Sequence, residues 1–328
     1  MSPGLALARR RLAQAPAVLA IVITGGFLLL EAAPGDAVDA YVASLGGDAG
    51  FVRELRERWG LDRSVWTRFL LYLAGLVTGD LGVSLAFDRP VAELVLERLP
   101  ITLALAAAAT SLALLLGAGL GLLCGSRPGG LADRLASAFV LALNATPSFW
   151  LGIVLVLVFA VRLRWLPSAG IETIGAGYAG VARLLDVARH MVLPVLTLGL
   201  VYAALYARVL RAGMVEAWRS DFVRAARAKG LPRKRLVLAH VARNALVPLL
   251  TVLGLHGAAM VGGSVVVESL FAVPGLGRLA FEAVIARDHA LLVGIVLVCA
   301  LLVILLNLVV DLLYGRLDPR IELASERR

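Results

Sequence analysis

The sequence predicts an all-α, polytopic membrane protein with six transmembrane helices and both termini in the cytoplasm. Three observations carry this expectation. The 328 residues are 60% hydrophobic and only 17% charged, whereas ordinary soluble domains hold about 25% charged residues. Six uncharged apolar runs, 12–30, 101–124, 137–161, 191–207, 245–267 and 289–310, approach the roughly 20 residues that a helix needs to cross a hydrocarbon layer. Lys and Arg stay on the cytoplasmic side of short loops, and an amino terminus inside puts 19 of them inside and 13 outside. The runs are rich in Leu and Ala and lack strand-length alternation, which argues against an outer-membrane barrel.

The first run follows Arg9, Arg10 and Arg11 and ends before "EAAPGDA". A cleaved secretory signal has the same outline, but its apolar core usually runs about 7–15 residues. Residues 1–31 therefore read as a cytoplasmic tip and a first transmembrane helix. Residues 32–100 form an extracytoplasmic segment, too charged for lipid. Within it, "FVRELRERWG" has helical spacing with Phe51, Leu55 and Trp59 on one side and a stop at Gly60. "VWTRFLLYLAGLV" at 65–77 is short and carries Arg68, which suits an interfacial or packed helix rather than a span. "TGDLGVS" at 78–84 reads as turns, and "PVAELVLERLP" as a short helix opened by Pro90 and closed by Pro100.

Residues 101–315 form a five-helix core and 316–328 a cytoplasmic tail. In the third span, "NATPSFW" places Asn144 and Pro147 where a missing hydrogen bond and a ring clash kink a helix. Such kinks line pathways in some membrane proteins and are simply tolerated in others. "GLHGAAMVGGSVVVE" at 254–268 holds Gly254, Gly257, Gly262 and Gly263, small residues that let helices approach closely. Cys124 and Cys299 lie within or at the end of spans and read as packing residues, with neither disulfide nor metal spacing. Polar residues that spans expose to lipid only at a cost are Asn144, Thr146, Ser148, Tyr202, Tyr206, His256 and Ser264. Of these, Asn144, His256 and Ser264 are the candidates for a translocation path, against the alternative that Ser and Thr bond their own helix and a lone His is structural.

The densest positive charge lies in a loop at 212–244. Residues 221–248 hold seven Lys or Arg and one acid. Part of this charge is a topology signal, but the loop is also punctuated like two short helices. Ser220 or Asp221 can cap a first helix with Phe222, Ala225 and Ala226 on one face; Gly230 stops it; Pro232 starts a second that runs through Leu236, Val237 and Val241 toward Asn244. This construction fits a rigid knob for docking, with Arg224 and Arg227 offered to acidic groups. A juxtamembrane helix resting on anionic lipid is the alternative.

"RAARAKG" at 224–230 resembles the cytoplasmic EAA loop of the permease subunits of ABC importers, matching at Ala225, Ala226 and Gly230 and departing at Arg224, where the general pattern has Glu. Residues 221–231, with His240, Arg243, Asn244 and Pro248, resemble the dipeptide, oligopeptide and nickel permease branch. "PGD" (34–36), "GDLG" (79–82), "RLPITLAL" (98–105), "ESLFAVPGLGRL" (268–279), "ARDHALLVG" (286–294) and "LNLVVDLLYGRLDPRI" (306–321) extend the likeness to the first permease of that branch almost end to end.

The resemblance implies the type I importer permease fold in the bacterial cytoplasmic (inner) membrane. It implies four kinds of partner: a second homologous permease in a heterodimer, two ABC ATPase subunits, an extracytoplasmic substrate-binding protein, and the lipid around the spans, with no nucleic acid. On this reading the ATPase-coupling loop holds Asp221, Arg224, Ala225, Ala226, Lys229, Gly230 and Pro232. An outer gate is expected around Glu268, Pro274, Gly275 and Gly277. The cargo implied is a peptide, with nickel or another small solute as the alternative within the family, and an ion-coupled carrier or channel outside it.

The chain itself is expected to be no enzyme and to bind no cofactor or metal. Its two lysines, Lys229 and Lys234, follow Ala228 and Arg233, so no Gly-Lys-[Ser/Thr] loop is present to cradle ATP phosphates. ATP is therefore used by partner subunits.

Overall fold

The computed structural model describes residues 3–32, 38, 49–58 and 60–317; side chains are outside the description at 3–12, 30, 49, 55, 58, 255–259, 261–263 and 310–317. The described chain is mostly helical. In order it forms α1 (Pro3–Glu31), α2 (Ala49–Arg58), α3 (Val65–Thr78), a two-residue hairpin β1 (Val83–Ser84) and β2 (Arg89–Pro90), α4 (Val91–Ser126), α5 (Leu131–Ala145) and α6 (Ser148–Leu155). Then follow α7 (Gly180–Trp218), α8 (Asp221–Ala228), α9 (Arg233–Arg235), α10 (Arg243–Gly263), α11 (Val265–Leu270), α12 (Leu276–Ile285) and α13 (His289–Leu317). Wider π-helical turns occupy Val156–Arg162 after α6 and Leu236–Ala242 between α9 and α10.

Four helices are long and apolar enough to cross a membrane among the described residues: Val91–Ser126, Gly180–Trp218, Arg233–Gly254 and His289–Val309. The bent pair Leu131–Ala145 and Ser148–Arg162 makes a fifth if it counts as one span. The apolar stretches Ala13–Leu29 and Val65–Thr78 are shorter, so a sixth crossing over 12–30 rests on the sequence.

Two expectations need correction. Pro100 does not close a short helix, because α4 runs through it for 36 residues. A proline interrupts only one ladder bond, and membrane helices tolerate the loss where neighbours re-satisfy the freed carbonyl. The third span is broken rather than kinked: α5 and α6 meet at 104°. Pro147 lacks an N–H and disfavours helical backbone at the preceding residue, and Thr146 is extended at φ −86°, ψ 126°. Pro147 then stands at the head of α6.

The chain divides into two compact units, Met1–Thr102 with Pro274–Arg328, and Leu103–Val273. In the first, Val91, Leu94 and Val95 of α4 pack with Leu276, Leu279 and Ala283 of α12 and Leu291 and Ile295 of α13. Gly294 keeps the contact close, since a Cβ there falls 2.5 Å from Val91 Cγ1. Asp288 heads α13: its carboxylate accepts from the Leu291 amide at 3.0 Å, the buried Ser84 hydroxyl at 2.6 Å and the Ala86 amide at 3.0 Å. Residues 65–78 form one short helix with no fully buried residue; α3 meets α1 through Phe69 on Phe27 and Arg68 on Glu31.

In the second unit α7 is the central helix, with α5, α6 and α10 against it. Lipid tails are as apolar as Leu, so burying apolar surface does not by itself drive helices together in a bilayer, and close backbone approach takes over. Here the device is a glycine stripe on α4. A Cβ on Gly117 falls 2.7 Å from Tyr206 Cβ, one on Gly121 falls 2.8 Å from Leu210 Cβ, and one on Gly125 falls 2.5 Å from Met214 Sδ. The fourth glycine of this region, Gly119, faces open space.

Candidate coupling site

Eight residues make α8, and its charges suit its ends. Asp221 lies in the first turn and Arg227 in the last, which complements the helix dipole. Ser220 precedes the helix with extended backbone, but its hydroxyl donates back to the Ala217 carbonyl and does not cap α8. Val223 and Ala226 are buried. The sequence pattern places Ala225 and Ala226 together on a docking face; the structure separates them, with Ala226 turned inward beside Val223 and Ala225 exposed. A spacing of i, i+3 makes Val223 and Ala226 the inward stripe, so the open face presents Asp221, Phe222, Arg224 and Ala225. Arg224 pairs with Asp221 on that face.

The end of α8 is sharp. The Lys229 and Gly230 amides bond to the Ala225 and Arg227 carbonyls, and Gly230 adopts φ +75°. A β-carbon is disfavoured in that left-handed region. Pro232 then accepts from the Arg235 and Leu236 amides to start α9. Pro248 lies inside α10.

Trp218 fastens α8 and α9 to the rest of the second unit. Its indole N–H donates to the Gly125 carbonyl at 2.8 Å, and the guanidinium groups of Arg227 and Arg233 stand 5.6 and 5.8 Å from its ring centre. Arg233 also donates to the Ser126 carbonyl at 3.1 Å. The last carbonyls of a helix have no intrahelical donor and carry partial negative charge. The end of α4 therefore receives one indole and one guanidinium.

A second fastening joins α5 to α7. Asp133 is 2% exposed, and both its oxygens accept from Arg211, at 2.6 and 2.9 Å, while Gly129 N–H and Ser137 Oγ add further bonds. The Arg211 guanidinium neutralises the buried Asp133 carboxylate through two hydrogen bonds. Both residues lie outside the apolar runs 137–161 and 191–207. Neither the glycine stripe nor this pair is among the residues the sequence reading singled out. The i, i+4 glycines at 117, 121 and 125 were a legible signal, whereas nothing local announces a partner 78 residues away.

The path candidates scatter. Asn144 is exposed on a cavity of about 240 Å³ lined also by Cys124, Arg208 and Arg211. Thr146 bonds back to Ala142, and Ser148 is half-buried at the start of α6. The Tyr202 and Tyr206 rings lie with centres 6.4 Å apart and planes tilted by 41°, Tyr206 being fully buried. Ser264 is fully buried and donates to the buried Glu268 carboxylate at 2.9 Å. The His256 side chain lies outside the described residues, as do those at 257, 262 and 263. Of the gate candidates, Glu268 belongs to the second unit and Pro274, Gly275 and Gly277 to the first. Gly275 precedes α12 with extended backbone and accepts from the Leu279 amide.

A polar cavity of about 450 Å³ lies where α6 and its π-helical turn give way to the loop before α7, lined by Arg164, Asp186, Arg189 and His190 among others. The Thr173 amide and hydroxyl donate to Asp186 at 2.6 and 2.8 Å.

Comparison with known proteins agrees with this architecture. A family profile described as "Binding-protein-dependent transport system inner membrane component" matches residues 117–323. The chain is 35% identical over 315 residues to the oligopeptide transport system permease protein AppB of Bacillus subtilis (strain 168), covering 96% of this chain and 98% of that one. It is 34% identical over 314 residues to the dipeptide transport system permease protein DppB of Escherichia coli (strain K12), covering 90% and 92%. It is also 37% identical over 295 residues to the glutathione transport system permease protein GsiC of Escherichia coli O6:H1, covering 90% and 92%. Among solved structures, the inward-facing MetNI methionine ABC transporter shares the fold, with a TM-score of 0.56 and 20% identity over 69% of this chain and 97% of that one.

Proposed function

We propose that this chain, which belongs to the family of binding-protein-dependent transport system inner membrane components, forms the peptide path of an ABC importer together with a second, homologous permease. The chain is a membrane permease subunit and not itself an enzyme; the family works with a binding protein and ATPase subunits. We assign ATP use to two such ATPases, and peptides as cargo from the near full-length likeness to oligopeptide and dipeptide permeases.

The observation that supports this reading is α8: an exposed, basic, sharply terminated helix tied through Trp218 to the ends of α4 and α7. On this reading α8 seats in a cleft on one ATPase. ATP closes the ATPases, and the spans follow because α8 moves as one body with α7 and α4. Nucleotide shifts the spans only by as much as it binds the two states with different affinity, and a rigid connection transmits that difference.

Cysteines placed at 225 and 226 in the assembled transporter test the docking face. Ala225→Cys crosslinks to an ATPase cysteine and Ala226→Cys does not. In vesicles, labelled peptide accumulates only with ATP and the binding protein, and concentration of solute by this chain alone would refute the assignment. The likeness to a glutathione permease supports a second reading, glutathione as cargo. Competition of unlabelled glutathione against a labelled dipeptide separates the two.

A further inference from the structure

The first unit contains a cavity of about 280 Å³ that the coupling mechanism does not use. It lies at the carboxyl end of α1, by Phe27 and Glu31, and at the start of α13, by Ala290 and Val293, with α3 and the hairpin completing the wall. Its lining has two characters. Leu71, Leu85 and Val293 make an apolar side, and Arg63, Arg68 and Arg287 bring three cations against one carboxylate, Glu31, which Arg68 already engages.

Two donors in this wall lack acceptors: the Tyr72 hydroxyl and Arg68 Nε are buried without a hydrogen-bond partner among the described residues. Burial pushes the Tyr72 phenol up to about 12, so it stays a donor. Arg287 is held at φ +53° in the turn before α13, a left-handed conformation uncommon for residues other than glycine and enriched at binding sites. Beside the cavity, α3 turns Trp66, Leu70 and Val77 outward, 69%, 63% and 89% exposed. Their spacing puts them on one helical face, the pattern of a helix lying in the interfacial plane with Trp at headgroup level.

From these observations we infer that the cavity binds an anionic phospholipid of the leaflet bordering the carboxyl end of α1, its phosphate between Arg63, Arg287 and the Tyr72 hydroxyl and the first part of an acyl chain along Leu71, Leu85 and Val293. A phosphate accepts hydrogen bonds and donates none at its ionised oxygens, which gives the stranded Tyr72 hydroxyl an acceptor. The apolar wall and the exposed face of α3 favour a lipid over a free anion. The volume lies just below the range of ligand pockets, roughly 300–1,000 Å³, and so takes a headgroup and a short length of chain. This site is independent of what the transporter carries.

The test is native mass spectrometry of the complete transporter equilibrated with vesicles of phosphatidylglycerol or of phosphatidylcholine. Phosphatidylglycerol is expected to be retained at least tenfold better. The double variant Arg63→Gln/Arg287→Gln, at two exposed positions, loses that preference, and so does Leu71→Glu, which keeps both arginines. Equal retention of the two lipids, or an unchanged preference in both variants, overturns the inference. Complete displacement by millimolar inorganic phosphate also overturns it, by showing a site for free anions.

Discussion

Replacing Gly121 by alanine probes how α4 and α7 hold together. The new Cβ would lie 2.8 Å from Leu210 Cβ, 3.0 Å from the Ala207 carbonyl oxygen and 3.0 Å from Leu210 Cδ2. Carbon atoms pack best at about 3.5–4.0 Å, so α7 must retreat by nearly 1 Å. Two of the obstructing atoms are backbone or its first side-chain carbon, which cannot swing aside. Overpacking of this kind costs about 1–3 kcal/mol, while exchanging glycine for alanine within a helix returns at most about 1 kcal/mol. Gly119 supplies the control, because a Cβ there meets nothing within 4 Å. Gly119→Ala keeps the propensity gain and avoids the clash, so the difference between the two variants isolates the packing cost, ~1–3 kcal/mol. Thermal unfolding of the assembled transporter in one detergent measures that difference. A Gly121→Ala variant as stable as Gly119→Ala refutes the close-approach argument.

Gly230 has open space around it, so only its backbone resists substitution. Gly230→Val is expected to strain the turn by about 1–2 kcal/mol and to lower peptide uptake per ATP hydrolysed, while Gly230→Asn, which tolerates φ above zero, stays near wild type; equal effects would sink the lever. Across the Asp133–Arg211 pair the two single variants should differ, because Asp133 is 2% exposed and Arg211 37%. Arg211→Met strands a buried carboxylate at a cost of about 3–5 kcal/mol, whereas Asp133→Asn leaves a cation that water reaches, and unfolding curves should rank them in that order. Asp288→Ala removes the acceptor of three hydrogen bonds, including one from the buried Ser84. The loss expected in thermal unfolding is about 2–4 kcal/mol, and Asp288→Asn should restore part of it.

Much of this protein was written locally. Runs of 17–25 uncharged residues establish apolar helices because lipid leaves the backbone no other way to bond; α4, α7 and α13 cover the runs at 101–124, 191–207 and 289–310, and α10 with the start of α11 takes up 245–267. Charge and turn chemistry at 221–232 specify α8, its stop at Gly230 and its restart at Pro232, all within a dozen neighbours. Where the sequence reading erred, the deciding interaction was not local. Pro100 reads as a stop, yet α4 continues into a helix packed on both sides of it. Whether Ala225 or Ala226 faces inward depends on which side of α8 meets the rest of the chain, and a small residue looks the same on either face.

Composition and short-range pattern thus determined that the chain is helical, membrane-embedded and equipped with one basic, sharply terminated helix. Tertiary structure alone decided that Trp218 holds that helix to the ends of α4 and α7, that Asp133 pairs with Arg211, and that Gly117, Gly121 and Gly125 face another helix while Gly119 faces none. The physical reason is range. Backbone bonding and transfer to lipid act on each segment separately, whereas close packing and buried ion pairs exist only after distant segments meet.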